Sequence, residues 1–359
     1  MKIVYLAPIA FSELKQRPQY FAETLSAYHK VYYIEPTIRI MAHYMYGFSC
    51  KAERYQVNKN LAVYRCDGSL VLPYRWNIFD PLHLNGIYEY TQLKRLFDHA
   101  DVIIVAYEGW YNVVDKVKNK TLVYDKMDEN TLLTKGWTNK AFMRNCERAL
   151  LKKCSCALVS SKYFARKLSG KLPTYLIPNA YDRSNTGCLE MKKSTHGKKI
   201  YGYVGTIAEW FDNKAIETIA EERNHTVILV GPCTAKKIQK ENVIYIGRVE
   251  KSRALEYIKK FDVCLYPFKK NELLSTINPV KIYEYLAFNK PVLAVSCEET
   301  ARFEANIYLY RNQEELRRYC KQDLMPPFHS IHEYEAYIEN NSWESRAVKI
   351  NKVLEKFVK

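Results

Sequence analysis

The strongest constraint on this sequence is a repeated alternation of short apolar runs with helical patterns. Residues 2–6, 31–34, 101–105, 121–124 and 156–159 are rich in β-branched and aromatic residues and have the length of buried strands. Residues 19–27, 88–98 and 140–152, which lie between them, place apolar positions three and four apart and predict crossover helices. A second series follows at 200–204, 226–230, 243–246, 263–266 and 291–295. Strand, helix and parallel strand in succession build a sheet covered on both faces, so the two series predict an α/β chain of two doubly wound domains. Ligands of such sheets sit beyond the carboxyl ends of the strands, and two domains facing one another would enclose them in a cleft.

The boundaries come from loss of pattern. Residues 1–183 form the first expected domain, and 184–199, polar, basic and without periodicity, read as a linker. Residues 200–342 form the second. In 343–359, Trp343, Ala347, Ile350, Val353, Leu354 and Phe357 share one helical face behind Ser342 as N-cap. That segment is expected as an amphipathic helix crossing back over the chain.

A length of 359 residues suits two such domains. With 48% hydrophobic and 26% charged residues, the chain has an ordinary globular composition and is not a disordered tail or a fibre. Its ten cysteines include no CxxC pair, which suggests free thiols and a reducing compartment. No apolar run is long enough for a signal peptide or a membrane span, so the expected location is cytoplasmic. The net charge of +16 points to an anionic partner. The lysines are dispersed and no nucleic-acid-binding motif is present, so phosphate-bearing substrates or an anionic membrane surface fit better than nucleic acid. Residues 38–46, basic and aromatic, suit either a loop packed over the first domain or one docked peripherally on the inner face of the cell membrane.

The most specific segment is 278–294. Pro279 stands where a helix can begin without losing a hydrogen bond, and the first turn then offers free amides, a positive dipole end and the Lys281 charge. Together these make a diphosphate site. Glu284 would repel phosphate unless turned toward neutral hydroxyls, such as a ribose diol one step along a nucleotide. The same pattern also suits an ordinary helix with an N-terminal proline and a capping asparagine.

This segment, in the form Pro-x-Lys-x-x-Glu-Tyr-x-Ala-x-x-x-Pro-Val, resembles the nucleotide-sugar signature of GT-B glycosyltransferases of family 4 and its relatives, the group 1 enzymes. Residues 202–212 resemble the first glycine loop of the C-terminal domain in that family. Residues 16–22 and 32–36 resemble the opening of transferases that build bacterial cell-surface polysaccharides, including the teichuronic-acid type. The resemblance implies two Rossmann-like domains, an acceptor-binding one followed by a nucleotide-sugar-binding one. It also implies transfer of a hexose from a nucleoside-diphosphate sugar, UDP as its carrier, to a saccharide or lipid-linked acceptor of the cell envelope.

On the donor side the resemblance implies that Gly205 and Thr206 bring backbone amides to the diphosphate and that Arg248 and Val249 frame the base. Thr276 and Asn278 would bond sugar or phosphate oxygens, Lys281 would stabilise the departing diphosphate, and Glu284 would hold the ribose. One departure stands out: family members often carry a glutamate eight residues before the ribose-binding one, where this chain has Thr276. Glu272 could replace it from a loop, or be a solvated carboxylate.

A base for the acceptor hydroxyl is expected at a strand end of the first domain. Residues 124–129 offer Asp128 first and Asp125 second, resembling the aspartate loop of an inverting glucuronosyltransferase, though an N-cap is the competing role. In a retaining enzyme Asp128 would only orient the acceptor. Arg17, at the start of the first helix, would meet an anionic acceptor or donor phosphate, or lie on the surface. No histidines pair at metal-ligand spacing and no Asp-x-Asp occurs, so no metal and no tightly bound cofactor is expected. The helix dipole and Lys281 would neutralise charge instead. The competing activities are a nucleotide-sugar epimerase of the same fold and a non-catalytic nucleotide- or nucleic-acid-binding protein. A dehydrogenase lacks its Gly-x-Gly-x-x-Gly fingerprint.

Overall fold

The computed structural model describes residues 1–71, 83–185 and 198–358, so most of the expected linker at 184–199 lies outside the described residues. The chain divides into two compact units, Met1–Pro178 together with Arg346–Lys359, and Asn179–Ser345. The division falls ahead of residue 184.

The first unit holds an eight-stranded sheet of β1 (Lys2–Leu6), β2 (Lys30–Ile34), β3 (Glu53–Asn58), β4 (Leu61–Arg65), β5 (Val102–Val105), β6 (Thr121–Lys126), β7 (Cys156–Val159) and β8 (Thr174–Leu176). Their spatial order is β3-β4-β2-β1-β5-β6-β7-β8, and only β3 runs antiparallel to its neighbour. In β1, Ile3, Val4, Tyr5 and Leu6 are all buried, because helices cover both faces of a parallel sheet. β1 pairs with β2 on one side and β5 on the other, placing a topological switch point at its carboxyl end.

The β3-β4 hairpin and β8 are not anticipated by the apolar runs. β3 is an edge strand, exposed apart from Tyr55, so its residues carry no core signal. Its turn is set by Asn58, whose Oδ1 accepts from the Asn60 and Leu61 amides at 2.8 and 2.9 Å.

The second unit holds a six-stranded, wholly parallel sheet of β9 (Lys199–Val204), β10 (His225–Val230), β11 (Val243–Gly247), β12 (Val263–Tyr266), β13 (Val292–Val295) and β14 (Tyr308–Tyr310). Its order is β11-β10-β9-β12-β13-β14, with the switch point between β9 and β12. The expected strands are present, and β14, only three residues long, is additional.

The last helix, Trp343–Leu354, starts in the second unit and belongs to the first from Arg346 onward. Ser342 Oγ accepts from the Ser345 amide at 3.1 Å, capping it. Within the first unit, Arg346 Nε donates to the Pro178 carbonyl at 3.1 Å, His29 Nε2 lies 2.9 Å from Asn351 Oδ1, and Thr121 Oγ1 donates to the Phe357 carbonyl at 3.0 Å. Ala347, Ile350 and Leu354 are fully buried, so the apolar stripe read from the sequence is what returns the chain.

Candidate functional site

In the second unit, three adjacent strands end in glycine. Gly205 follows β9 at φ 153°, Gly231 follows β10 at φ 139°, and Gly247 closes β11 at φ 80°. The Gly205 amide donates to the Val230 carbonyl at 2.9 Å and the Gly231 amide to the Gly247 carbonyl at 2.8 Å, lacing the three strand ends together. A Cβ on Gly231 would stand 2.1 Å from the Gly205 carbonyl oxygen, and one on Gly205 would meet the Tyr203 hydroxyl at 2.6 Å. Only glycine allows the Gly205 and Gly231 backbones this close at these angles, and the three strand ends form a floor of main chain that bears no Cβ. Gly231 is a residue the sequence reading missed; the Val-Gly-Pro step directly after a strand was the available signal.

The helix Val280–Ala287 stands beside this floor. Pro279 is its N-cap, one position earlier than a first-turn proline, and no side chain caps the end. Tyr285 is fully buried and its hydroxyl accepts from the Val204 amide at 3.1 Å, fastening the helix to the residue before Gly205. Lys281 lies one turn N-terminal to Tyr285, on the same side of the helix. Its Nζ is 2.8 Å from Glu284 Oε2, and both side chains are partly exposed. Thus the two side chains nominated for phosphate and ribose hold one another.

Arg248 follows Gly247 and is exposed, with no ion pair among the described residues, while Val249 packs half-buried against the core. Thr206 is exposed beside Gly205, and its carbonyl accepts from the Tyr203 hydroxyl at 3.1 Å.

Two expected donor contacts are corrected. Thr276 is buried and its hydroxyl donates back to the Leu273 carbonyl at 2.8 Å inside the helix Glu272–Thr276. Asn278 is also buried; its Oδ1 accepts from the Asn179 amide at 2.8 Å and its Nδ2 donates to Glu299 Oε2 at 2.9 Å. Both side chains are engaged by the protein's own groups, Thr276 within its helix and Asn278 across to Asn179 and Glu299. Glu272 is exposed at the head of its helix, which Asn271 caps.

In the first unit, the end of β6 carries two neighbouring charges on opposite faces of the sheet. Asp125, 0% exposed, accepts from the Tyr5 hydroxyl at 2.7 Å and from Arg17 Nε and Nη2 at 3.0 and 2.8 Å. Arg17, 4% exposed, also donates Nη1 to the Ile177 carbonyl at 2.6 Å and lies over the Phe21 ring. Expected to face an acceptor, Arg17 and Asp125 instead neutralise one another inside the fold. A guanidinium at the amino end of the first helix and a carboxylate on β6 meet because β1 and β6 flank β5, a proximity that sequence spacing does not display.

Lys126, 1% exposed, points the other way, its Nζ 2.7 Å from Glu108 Oε1 and 2.8 Å from Glu147 Oε1, with Glu129 Oε1 at 3.8 Å. Burial depresses its basicity, but Glu108, Glu147 and Glu129 together raise the ammonium above the ordinary lysine range. Glu108 also accepts from the Tyr124 hydroxyl and Asn130 Nδ2, and Lys167 pairs with Glu129. None of these network residues is among the sequence candidates; an acid shortly after β5 and a lysine closing β6 were the only hints.

Asp128 sits between these anchors. It is half-buried and has no hydrogen bond or ion pair with any described residue. Burial raises its carboxyl above the ordinary aspartate range; Lys126 and Arg17 pull down, and Glu108 and Asp125 add to the rise. It does not cap the short helix Asn130–Leu133, whose N-cap is Glu129. An accessible carboxylate with raised proton affinity on a braced loop has the properties of a general base. Among the described residues, no group of His, Cys, Asp and Glu is arranged to hold a metal ion.

Comparison with known proteins bears on both units. Residues 198–321 match the family described as glycosyl transferases, group 1. A Bacillus subtilis (strain 168) protein named as a teichuronic acid biosynthesis glycosyltransferase, TuaH, is 20% identical over 244 residues, which is 64% of this chain and 57% of that relative. The chain therefore spans little more than half the length of that relative. Among solved structures, the E. coli trehalose-6-phosphate protein bound with UDP-2-fluoro glucose superposes with a TM-score of 0.70 at 10% identity, covering 99% of both chains. Anabaena HepE, solved with UDP and glucose, gives 0.63 at 13% identity, covering 99% of this chain and 100% of that one. These likenesses establish the fold across the whole chain.

Proposed function

We propose that this chain, which has the GT-B fold and belongs over residues 198–321 to the group 1 glycosyl transferases, moves a sugar from a nucleoside diphosphate to a saccharide hydroxyl. The observation that carries the proposal is the laced glycine floor at Gly205, Gly231 and Gly247 beside the helix bearing Lys281 and Glu284. An uncapped helix end beside strand ends that bear no Cβ suits a diphosphate, and a lysine with a glutamate one turn on suits phosphate and ribose in sequence. On binding, Lys281 would leave Glu284 for the phosphate, freeing Glu284 to accept from the ribose diol. Lys281 and the helix amides would then stabilise the charge that develops on the departing diphosphate.

Asp128 would take the proton of the acceptor hydroxyl if configuration inverts, and would orient the acceptor if it is retained. UDP is the carrier we favour, because structures of the same fold were solved with UDP or a UDP-sugar. The likeness to the B. subtilis relative supports an acceptor in the assembly of a cell-surface polysaccharide, lipid-linked in the reading we prefer.

The test is a thermal-shift panel with UDP, GDP, ADP, CMP and NAD. A ligand that binds only the folded form at a hundred times its Kd adds about 2.7 kcal/mol of stability. Stabilisation by one nucleoside diphosphate, lost in Lys281→Ala and Glu284→Ala, is the expected result. A folded protein that none of them shifts overturns the donor site. Turnover of a sugar nucleotide without any acceptor would replace transfer with epimerisation.

A further inference from the structure

The first unit exposes an apolar surface that its own fold does not use. Residues 38–46, expected as a loop, contain the helix Ile40–Tyr46, none of whose residues is buried. Met41, Tyr44 and Met45 fall at helical positions that share one side, and Tyr46 and Phe48 follow at its exit with rings 6.2 Å apart. All five are exposed, Tyr44 at 78%. The helix is tied at both ends: the Ile40 amide donates to the Gly68 carbonyl at 3.2 Å, Gly47 ends it at φ 73°, and His43 Nδ1 lies 2.9 Å from the Phe48 carbonyl. An apolar helical side normally faces the core; this one faces solvent.

A second patch matches it. Leu133 and Trp137, the latter 82% exposed, lie in the segment that leaves β6. β2 and β6 run in the same direction with β1 and β5 between them, so the segments leaving their carboxyl ends emerge at one edge, roughly 14 Å apart. The carboxylates of both segments stand at their roots, Glu35 after β2 and Asp128 and Glu129 after β6. Residues 36–52 carry Arg39, His43 and Lys51, residues 131–146 carry Lys135, Lys140 and Arg144, and neither contains Asp or Glu. Asp67, 4.0 Å from Lys51, and Glu89, near Arg39, approach from neighbouring segments, while Lys135, Lys140 and Arg144 have no ion pair among the described residues.

This chemistry fits one occupant. Met and Phe side chains enter the acyl boundary, Tyr hydroxyls and the Trp N–H stay among headgroups, and lysines neutralise lipid phosphates. A second copy of the chain would set Arg39, Lys51, Lys135, Lys140 and Arg144 against their own counterparts, with a net charge of +16 on each chain, which is repulsive. We infer that the carboxyl edge of the first sheet docks on an anionic bilayer surface through the helix Ile40–Tyr46, Phe48 and Trp137. On the transfer reading above, docking seats Asp128 near the lipid–water boundary, where a lipid-linked saccharide presents its hydroxyl.

The experiment is co-sedimentation of the full chain with vesicles of phosphatidylcholine alone and of an equimolar mixture with phosphatidylglycerol, at low and high salt. Binding to the anionic vesicles only, weakened by salt, is expected. The triple variant Tyr44→Ser/Met45→Ser/Phe48→Ser should lose about tenfold or more of that binding, and Lys135→Glu about fivefold. The melting temperature and the nucleotide shift, measured on the same variants, should stay unchanged, so a failure of docking is distinguishable from a failure of the donor site. Equal binding to both vesicle types, no binding, or a self-association that the triple variant dissolves would each overturn the inference.

Discussion

The carboxyl edges of the two sheets are built from different materials. In the first unit the strand ends carry charges, Asp125 with Arg17 and Lys126 with Glu108 and Glu147, all buried and paired, while Asp128 has no ion pair among the described residues. In the second unit the strand ends carry glycine, and its charged pair, Lys281 with Glu284, lies partly exposed on a helix. The difference follows from what each edge is proposed to meet. A diphosphate is bound by main-chain amides, which need backbone close to the ligand and nothing in between. A hydroxyl needs one carboxylate held in place, and buried ion pairs on both sides supply the holding at a desolvation cost.

The contrast can be broken at several points. The largest expected effect is on Asp128→Asn: turnover should fall by about a hundred- to ten-thousand-fold while nucleotide affinity, measured by calorimetry, stays unchanged. Full activity in this variant would remove the base from the first unit. Next is Lys126→Met, which leaves Glu108 and Glu147 buried without their cation. Chemical denaturation should show a loss of about 3–5 kcal/mol, with part recovered when Glu108→Gln is added. No recovery would mean that packing, and not charge pairing, braces the Asp128 loop.

Gly231→Ala should cost about 1–3 kcal/mol of stability from backbone strain and weaken nucleoside-diphosphate binding even where the protein remains folded. An unchanged affinity would break the picture of a site made from main chain. Lys281→Ala is expected to weaken nucleotide binding by about ten- to a hundredfold, the range for a hydrogen bond to a charged group, with little change in melting temperature.

The smallest effect concerns pH. Because burial raises the Asp128 carboxyl, the folded chain holds this proton more tightly than the unfolded chain does. Its contribution favours folding below the ordinary aspartate range and is lost as pH rises through the raised value. Asp128→Asn should therefore melt higher than the parent at neutral pH, with the advantage shrinking as the pH falls through that window. If Asp128 is the base, the acid limb of kcat/KM lies above the ordinary aspartate range for the same reason.

Much of this molecule was legible in its sequence, and particular residues show why. The apolar run 2–6 and its counterparts announce buried parallel strands because both faces must be covered, and the Trp343 to Leu354 stripe announces a helix because its period is that of a helix. Lys281 and Glu284 could be paired from spacing alone, since residues three apart on a helix are neighbours. The exposed strand β3 escaped notice because it buries no face, and Gly231 escaped because a lone glycine after a strand resembles any turn.

By itself the sequence determined the two α/β series, the returning helix and the neighbouring placement of Lys281 and Glu284, all of which depend on local period and local chemistry. Only the tertiary structure decided that Arg17 and Asp125 spend their charges on each other, that Thr276 and Asn278 are internal struts, and that Asp128 remains unpaired. The same applies to the patches after β2 and β6, which share an edge only through sheet order. Each of these depends on which distant segments the sheet brings side by side, and strand order leaves no periodic trace along the chain.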